Sequence, residues 1–597
     1  MINYTILYDL LKRRHIKYMK NKIILLIDSL GDYELENLIP TMMPFTYSIM
    51  QNSVTYTNMI SQGPYTEAAL SAFYTGKDTM DNGGYLLKFN DRHTFLEELQ
   101  SMGYTVYKNI DPQVHAQSAY KDCDVPIYSV AFDIEALWGY RLEYYYDLYH
   151  QDKLVEIDYI FLKKLIGDCI LFLIKQFKML MQKDNSLEFI TNNTNIDSEE
   201  INNTIDLLED EYKLFENDSK QYLDDLLSKG KNHSLFTVNK LKQDHKIQNQ
   251  DIKKEVINEY KTLFDEIKKS NRKHIPIFRI ETFKNLIELL LHSPSSKIKN
   301  ALKYIYLYLV YGKFDKDLLS RNKETYDSFK SAPSITTHID HFINWANEQT
   351  KPYAATIHVD DIHNPEIFFT YDSENLDLMK EELNHLNNVL KKIPKNYTGS
   401  ITYLLSLAYV DSKIEYLFDK LKENNIYDNT EIYITGDHGF SFSYRFNRKN
   451  YVTNFYLENY KVPFIIHNKY DSNEIRNQLC SSKDIYNLIT DSNDINIHRE
   501  YVTMEYMGGG CPDLLRRPVL LTYYNQKYMF CFEATYKNKF QDIQIYEAYD
   551  LKKDKYQHSN IYKMINESDF KKEYQIISNR YKNLYENFDE YLHLLKF

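Results

Sequence analysis

The chain has 597 residues, 43% of them hydrophobic: too long for one compact core and apolar enough to build more than one. A formal net charge of −12 excludes a general nucleic-acid binder, though not a local basic pocket for an anionic substrate. The five cysteines, Cys123, Cys169, Cys480, Cys511 and Cys531, are widely spaced and odd in number, and point to neither a disulfide framework nor a zinc ribbon.

The first 22 residues lack an uninterrupted apolar stretch and a small-residue cleavage site, so the expected location is cytoplasmic. Asn21 to Ile27 (NKIILLI) reads as a buried central strand ended by Asp28-Ser29. A carboxylate there stands where open α/β sheets bind ligands, and also where a simple turn Asp is common. Met43 to Gln51 is predicted helical and Ser53 to Ile60 a strand. Next comes Gln62 to Lys77 (QGPYTEAALSAFYTGK), in which Gly63-Pro64 delivers Thr66 to the start of a helix ending at Thr75-Gly76. Thr66 reads either as an N-cap over a buried Ala68/Ala69/Leu70/Phe73 face or as a nucleophile, since a helix N-terminus favours an anion. Thr94 to Met102 is predicted as a helix stopped by Gly103, with a strand at Tyr104 to Tyr107.

From 135 to 350 the pattern changes to long Lys/Asp/Glu/Asn-rich helical segments, such as Asp197 to Leu227 and Ile247 to Lys269, read as an inserted α-helical region. Its most apolar helix, Tyr159 to Met181, carries Lys163, Lys164, Asp168, Lys175 and Lys178, and is expected to be amphipathic rather than membrane-spanning. The α/β alternation resumes at 351. Strands are predicted at Tyr353 to Val359, Glu431 to Thr435 and Lys461 to His467, with a long helix at Tyr403 to Asn424. After 497 a small antiparallel sheet is expected from Val519 to Tyr524, Lys527 to Glu533 and Ile543 to Tyr549, then a final helix from Ser568. The expected fold class is therefore α/β, a central mostly parallel sheet flanked by helices. Its catalytic domain spans 1–134 and 351–496, interrupted by the helical insert and followed by a C-terminal α+β subdomain at 497–597.

Three strands end in ionisable groups: Asp28, the Asp360/Asp361/His363 turn, and Asp437-His438 between Gly436 and Gly439. Asp28, Asp437, His438 and the Thr66 hydroxyl make an O/N shell suited to Zn²⁺, Mn²⁺, Mg²⁺ or Ca²⁺. Such an ion would acidify the Thr66 hydroxyl and hold a substrate oxygen. His467 and Asp411 are candidates for a second metal, each with a competing structural role. Glu505 to Pro512 (EYMGGGCP) reads as a loop over the site or as a turn between domains.

In order and context these segments resemble the sulfatase-like branch of the alkaline phosphatase superfamily. The resemblance rests on the first strand with Asp28, Thr66 through Thr75-Gly76, and Leu96 through Met102-Gly103-Tyr104. It continues in Asp361-Ile362-His363-Asn364-Pro365, Tyr409-Val410-Asp411, Asp437-His438-Gly439, Lys461-Val462-Pro463 and Tyr549-Asp550-Leu551 through Asp554. It spans roughly 21–125 and 351–560 and leaves the insert unexplained. It implies an alkaline phosphatase-like fold, a divalent metal held by Asp28, Thr66, Asp437 and His438, and His363 with Lys449 or Arg448 against the ester. In sulfatases proper a Cys or Ser in C/S-x-P/A-x-R matures to formylglycine; here Thr66 and Leu70 stand in place of the Cys/Ser and the Arg, and Ser29 replaces a second acidic residue. A Thr nucleophile resembles instead the phosphoglycerol and phosphoethanolamine transferases of this branch. The leading expectation is a metal-dependent hydrolase or transferase acting on a phosphate ester, glycan- or lipid-linked, through Thr66. The alternatives are a sulfuric ester hydrolase and a catalytically degenerate binding protein on the same fold.

Overall fold

The computed structural model describes residues 19–31, 39–81, 93–110, 124–128, 134–181, 198–238, 334–363, 376–393, 401–440, 455–468, 473–491, 497–508 and 513–594 without 556 and 558, besides four isolated positions between 254 and 262. The first nine strands form one sheet: β1 (Asn21–Ile27), β2 (Ser53–Ile60), β3 (Thr105–Ile110), β4 (Val125–Tyr128), β5 (Tyr353–Val359), β6 (Thr430–Gly436), β7 (Lys461–His467), β8 (Glu474–Arg476) and β9 (Cys480–Ser481). The order is β4-β3-β5-β1-β6-β7-β2-β8, with β9 also on β2. Pairing is parallel except at β7, which runs antiparallel to both β6 and β2.

β1 lies between β5 and β6, and Ile23 to Ile27 have no exposed surface, so helices cover both faces. That burial is why its sequence is a continuous apolar run rather than an alternating one. Among the described residues, the helices of seven or more residues before the second sheet are α1 (Pro44–Met50), α2 (Thr66–Thr75), α3 (Phe95–Met102), α4 (Ile134–His150), α5 (Glu156–Met181), α6 (Ser198–Asn217), α7 (Ser219–Lys229), α8 (Ile335–Asn347), α9 (Leu376–Leu390) and α10 (Ile401–Glu423). α1, α8 and α9 pack against the long α10, while α2 packs against α3. α3 starts with a reciprocal capping box between Thr94 and Glu97, and ends at Gly103 in the left-handed region.

α4 to α7 pack on one another. The charge-rich run from 197 to 227 is two helices, broken where the Asp218 carboxylate accepts from Gln221 N–H at 2.9 Å and caps α7. The predicted helix at 247–269 falls almost wholly outside the described residues. No helix among the described residues is long and apolar enough to cross a membrane.

The second sheet is antiparallel, β10 (Val502–Tyr506), β11 (Val519–Tyr524), β12 (Tyr528–Ala534) and β13 (Gln544–Asp550) in that order, backed by α11 (Lys571–Leu594). β10 is not among the predicted strands; its last two residues, Glu505 and Tyr506, belong to the glycine-containing segment read as a loop or turn. The second sheet grips the segment that carries α2. Glu505 N–H donates to Gln62 C=O at 3.0 Å, the buried Glu505 carboxylate accepts from Met80 N–H at 2.8 Å, and Arg580 of α11 pairs with Glu505 and Asp81 at 2.6 and 2.7 Å.

Candidate active site

The C-terminal ends of β1 and β6 lie side by side, with Ile27 in register with Gly436, so the residues that follow, Asp28 and Asp437, leave the sheet together. Neither glycine of the second turn has a left-handed backbone. Glycine is needed there for close approach instead: a β-carbon on Gly436 would sit 2.2 Å from Leu30 O, and one on Gly439 2.0 Å from Glu458 O.

Ser29 joins the two acids. It holds a left-handed conformation, φ 64°, uncommon for a residue with a side chain. That conformation aims its N–H at Asp437 Oδ1, 3.0 Å, and its hydroxyl at Asp28 Oδ1, 2.8 Å, while Tyr403 O–H donates to its carbonyl at 2.9 Å. Ser29 thus supplies two donors that fix the acid pair, and the hydroxyl is the one that an acidic residue could not give.

Thr66 is the first residue of α2, and Tyr65, not Thr66, holds the cap position. The Thr66 hydroxyl is 3.0 Å from Asp28 Oδ2 and 3.3 Å from His438 Nε2. The N-cap alternative is therefore set aside: this hydroxyl faces the acids. His438 Nδ1 is 2.7 Å from Gly439 O and must donate to it, which leaves the lone pair of the neutral ring on Nε2. Two acceptors thus converge on one hydroxyl proton. His438 Nε2 is also 3.6 Å from Asp28 Oδ1 and 3.5 Å from Asp437 Oδ2.

The electrostatics divide the acid pair. Burial pushes the Asp28 carboxyl up, but the imidazoles of His363, His438 and His358 when protonated, and the Ser29 hydroxyl, outweigh it and hold it down to about 2. Asp437 is pushed up by burial and by the negative charge of Asp28. Its Oδ1 accepts from Ser29 and His438 N–H, whereas its Oδ2 is buried with no hydrogen bond. A buried carboxylate oxygen left without a donor, among lone pairs spaced 3.0 to 3.6 Å apart, is what a cation-binding shell looks like before the cation is counted. Donors about 2.0–2.2 Å from one ion must lie roughly 3 Å from each other, so the residues fit a divalent metal with oxygen and imidazole ligands.

The structure thus brings together Asp28, Thr66, Asp437 and His438, all buried. His363 is exposed on the turn after β5, close enough for its charge to act on Asp28. Of its neighbours, Asp361 is buried and accepts from Ile335 N–H at the start of α8, 3.2 Å, and Asp360 is exposed. Arg448 and Lys449 lie outside the described residues. Asp411 is spent on α1, accepting from Phe45 N–H, Thr46 N–H and Thr46 O–H at 2.6–3.0 Å.

One residue was missed. His358, near the end of β5, is buried and offers a ligand atom that lies with those of Asp28 and Asp437 within 4.8 Å of one another. A histidine inside an otherwise apolar strand, two residues before the acidic turn, was the available signal.

The sequence matches the sulfatase family over residues 176–492, which is 317 residues and more than half of the chain. The match takes in His358, His363, Asp437 and His438; Asp28 and Thr66 precede it. No curated protein matches. Among solved structures the chain is similar to the phosphonate monoester hydrolase of Agrobacterium radiobacter, with 13% identity, TM-score 0.45, and coverage of 95% of this chain and 96% of that one. A protein in the alkaline phosphatase superfamily from Vibrio parahaemolyticus gives 12% identity, TM-score 0.42, and coverage of 97% and 88%.

Proposed function

The chain belongs to the sulfatase family, and we propose that it hydrolyses an anionic ester by attack of the Thr66 hydroxyl. The observation that carries this reading is the convergence of Asp28 Oδ2 and His438 Nε2 on Thr66 Oγ1 at the N-terminus of α2. Asp28 Oδ2 can take the hydroxyl proton as the oxygen attacks, and His438 Nε2 can do so only while its lone pair is not on a cation. The attacked atom then passes to Thr66, the leaving alcohol departs with the bridging electron pair and gains a proton, and water releases the acid. The first backbone N–H groups of α2 point toward the oxygens of the ester, where negative charge is favoured. His363, exposed at the rim and positive when protonated, is proposed to meet the same oxygens.

Asp28, Asp437, His438 and Thr66 are proposed to hold a divalent cation, of Mn, Zn, Ca or Mg type. When bound, it would acidify the Thr66 hydroxyl and neutralise charge on the ester. Ser29 keeps both carboxylates in place for it, and burial keeps water from competing.

Family membership favours a sulfuric ester as the substrate. One observation favours a phosphate ester as a second reading. Thr66 has a single hydroxyl on a branched carbon, so it cannot become the aldehyde hydrate whose second hydroxyl expels sulfate. A phospho-Thr ester, by contrast, is open to attack by water at phosphorus. Matched 4-nitrophenyl sulfate, phosphate monoester and phosphate diester decide between the two. Turnover of the sulfate alone supports the first, turnover of a phosphate alone the second. In either case Thr66→Ala must abolish it, and retention of wild-type turnover by that variant would sink the mechanism.

A further inference from the structure

A second imidazole stands beside the acid pair, and its backbone is held in an unusual way. His358 is the sixth of the seven residues of β5. The ladder between β3 and β5 runs from Thr105↔Tyr353 to Lys108↔Thr356 and then stops. Beyond it, the side chain of Asn109 takes over. Asn109 Oδ1 accepts from His358 N–H at 2.6 Å, and Asn109 Nδ2 donates to His358 C=O. One buried side-chain amide thus supplies the donor and the acceptor that a further strand residue would have given. It clasps the backbone unit of β5 whose side chain lies with Asp28 and Asp437.

We propose that His358 is a ligand of the cation held between Asp28 and Asp437, and that Asn109 is its positioning residue. The inference rests on the metal-dependent reading above and adds to it a second imidazole and the group that sets it. Neutral imidazole is a good donor to Mn²⁺ and Zn²⁺ alongside carboxylates. Ligating histidines need a fixed orientation, and losing the group that supplies it weakens metal affinity about 10- to 100-fold. In most sites that group bonds the far ring nitrogen. Here the hold is on the main chain, so the ring inherits its place from the strand end.

The direct test needs no variant. Electron spin-echo envelope modulation of the wild-type full-length protein loaded with Mn²⁺ counts the imidazole nitrogens on the ion. Two are expected, from His438 and His358; a single one overturns the proposal. No bound Mn²⁺ at all, with no Zn²⁺ binding by calorimetry, sinks the metal reading and this inference with it. Variants then separate positioning from stability. For His358→Gln and Asn109→Leu, the Zn²⁺ dissociation constant should rise about 10- to 100-fold and the visible bands of Co²⁺-loaded protein should move. If Asn109→Leu lowers only the unfolding temperature of the metal-free protein and leaves Zn²⁺ affinity and the Co²⁺ spectrum as in wild type, Asn109 merely braces the sheet and the positioning role is wrong.

Discussion

Two hydroxyl–imidazole pairs sit at opposite ends of the same sheet. Thr66 meets His438 beyond the C-terminal end of β6. Ser53 meets His467 at 2.9 Å where β7 pairs with Ile432, near the start of β6. The five steps from Ile432 to Asp437 put roughly 16 Å between them at strand rise. At the Ser53 end every lone pair and proton has a place. Ser53 O–H donates to Ile49 C=O at 2.7 Å, so its oxygen accepts from His467 Nδ1–H, and His467 Nε2 accepts from Tyr427 O–H at 2.6 Å. At the Thr66 end the acceptors outnumber the protons, and a carboxylate oxygen stays without a donor. The residue types are nearly the same; the balance of donors and acceptors separates a brace from the candidate site.

The sharpest way to break this contrast is to remove one hydroxyl at a time. Thr66→Ala should lower kcat by roughly 10³-fold or more, as loss of a nucleophile does, with little change in unfolding temperature. Thr66→Ser should retain measurable turnover, and Ser53→Ala should turn over at the wild-type rate per folded molecule. A Ser53→Ala rate loss as large as that of Thr66→Ala would erase the distinction.

Metal removal is the next largest effect, and it should reach one end only. Chelation should lower the unfolding midpoint of the wild-type chain, since an ion bound at 100 times its dissociation constant adds about 2.7 kcal/mol. Asp437→Asn should lose most of that difference, while Tyr427→Phe should keep all of it. Unfolding followed with and without chelator, then with Mn²⁺ or Zn²⁺ restored, measures both. A chelator effect that survives in Asp437→Asn would place the ion elsewhere.

Much of this was legible in the chain. Strands β1, β2, β5 and β7 form over the predicted residues, and β1 was the plainest because a strand buried on both faces is a continuous apolar run. Asp28, Thr66, Asp437 and His438 were legible because reactive groups at strand ends stand out against that background. Three things were not. The left-handed turn at Ser29 looked like a lost ligand, since a serine does not announce a strained backbone. His358 was hidden inside a strand, where a buried histidine is most often structural. Asn109 acts on a strand nearly 250 residues away, which no local pattern encodes. His467 and Asp411, by contrast, do hold the structural roles weighed against a second metal for them.

At the braced end the prediction is one of stability. His467→Phe keeps the ring's bulk but removes the donor to Ser53, whose O–H keeps Ile49 C=O, and the acceptor of the half-buried Tyr427 hydroxyl. Losing these two hydrogen bonds should cost about 1–2 kcal/mol in chemical denaturation. The rate per folded molecule should stay at the wild-type value. A fall in kcat without a fall in stability would make His467 part of the chemistry and dissolve the contrast.

The smallest effect is a pH dependence, and it asks whether an imidazole near the reactive end can be inert. His338, on α8, is buried, and burial with the nearby His341 and His358 charges holds its pKa down to about 3. In the unfolded chain it titrates near 6.5. Between those values the unfolded state binds a proton that the folded state refuses, so stability must fall as pH drops through 6.5 and continue to fall toward 3. This one group contributes about 1.4 kcal/mol of loss for each pH unit in that window, so roughly that much at pH 5.5. His338→Gln, which cannot take the proton, should flatten the slope of unfolding free energy against pH by that amount between pH 6.5 and 5, measured on metal-free protein. Turnover at pH 7.5 should not change. If the variant keeps the wild-type slope, His338 is already protonated in the fold and its burial does not exclude the proton.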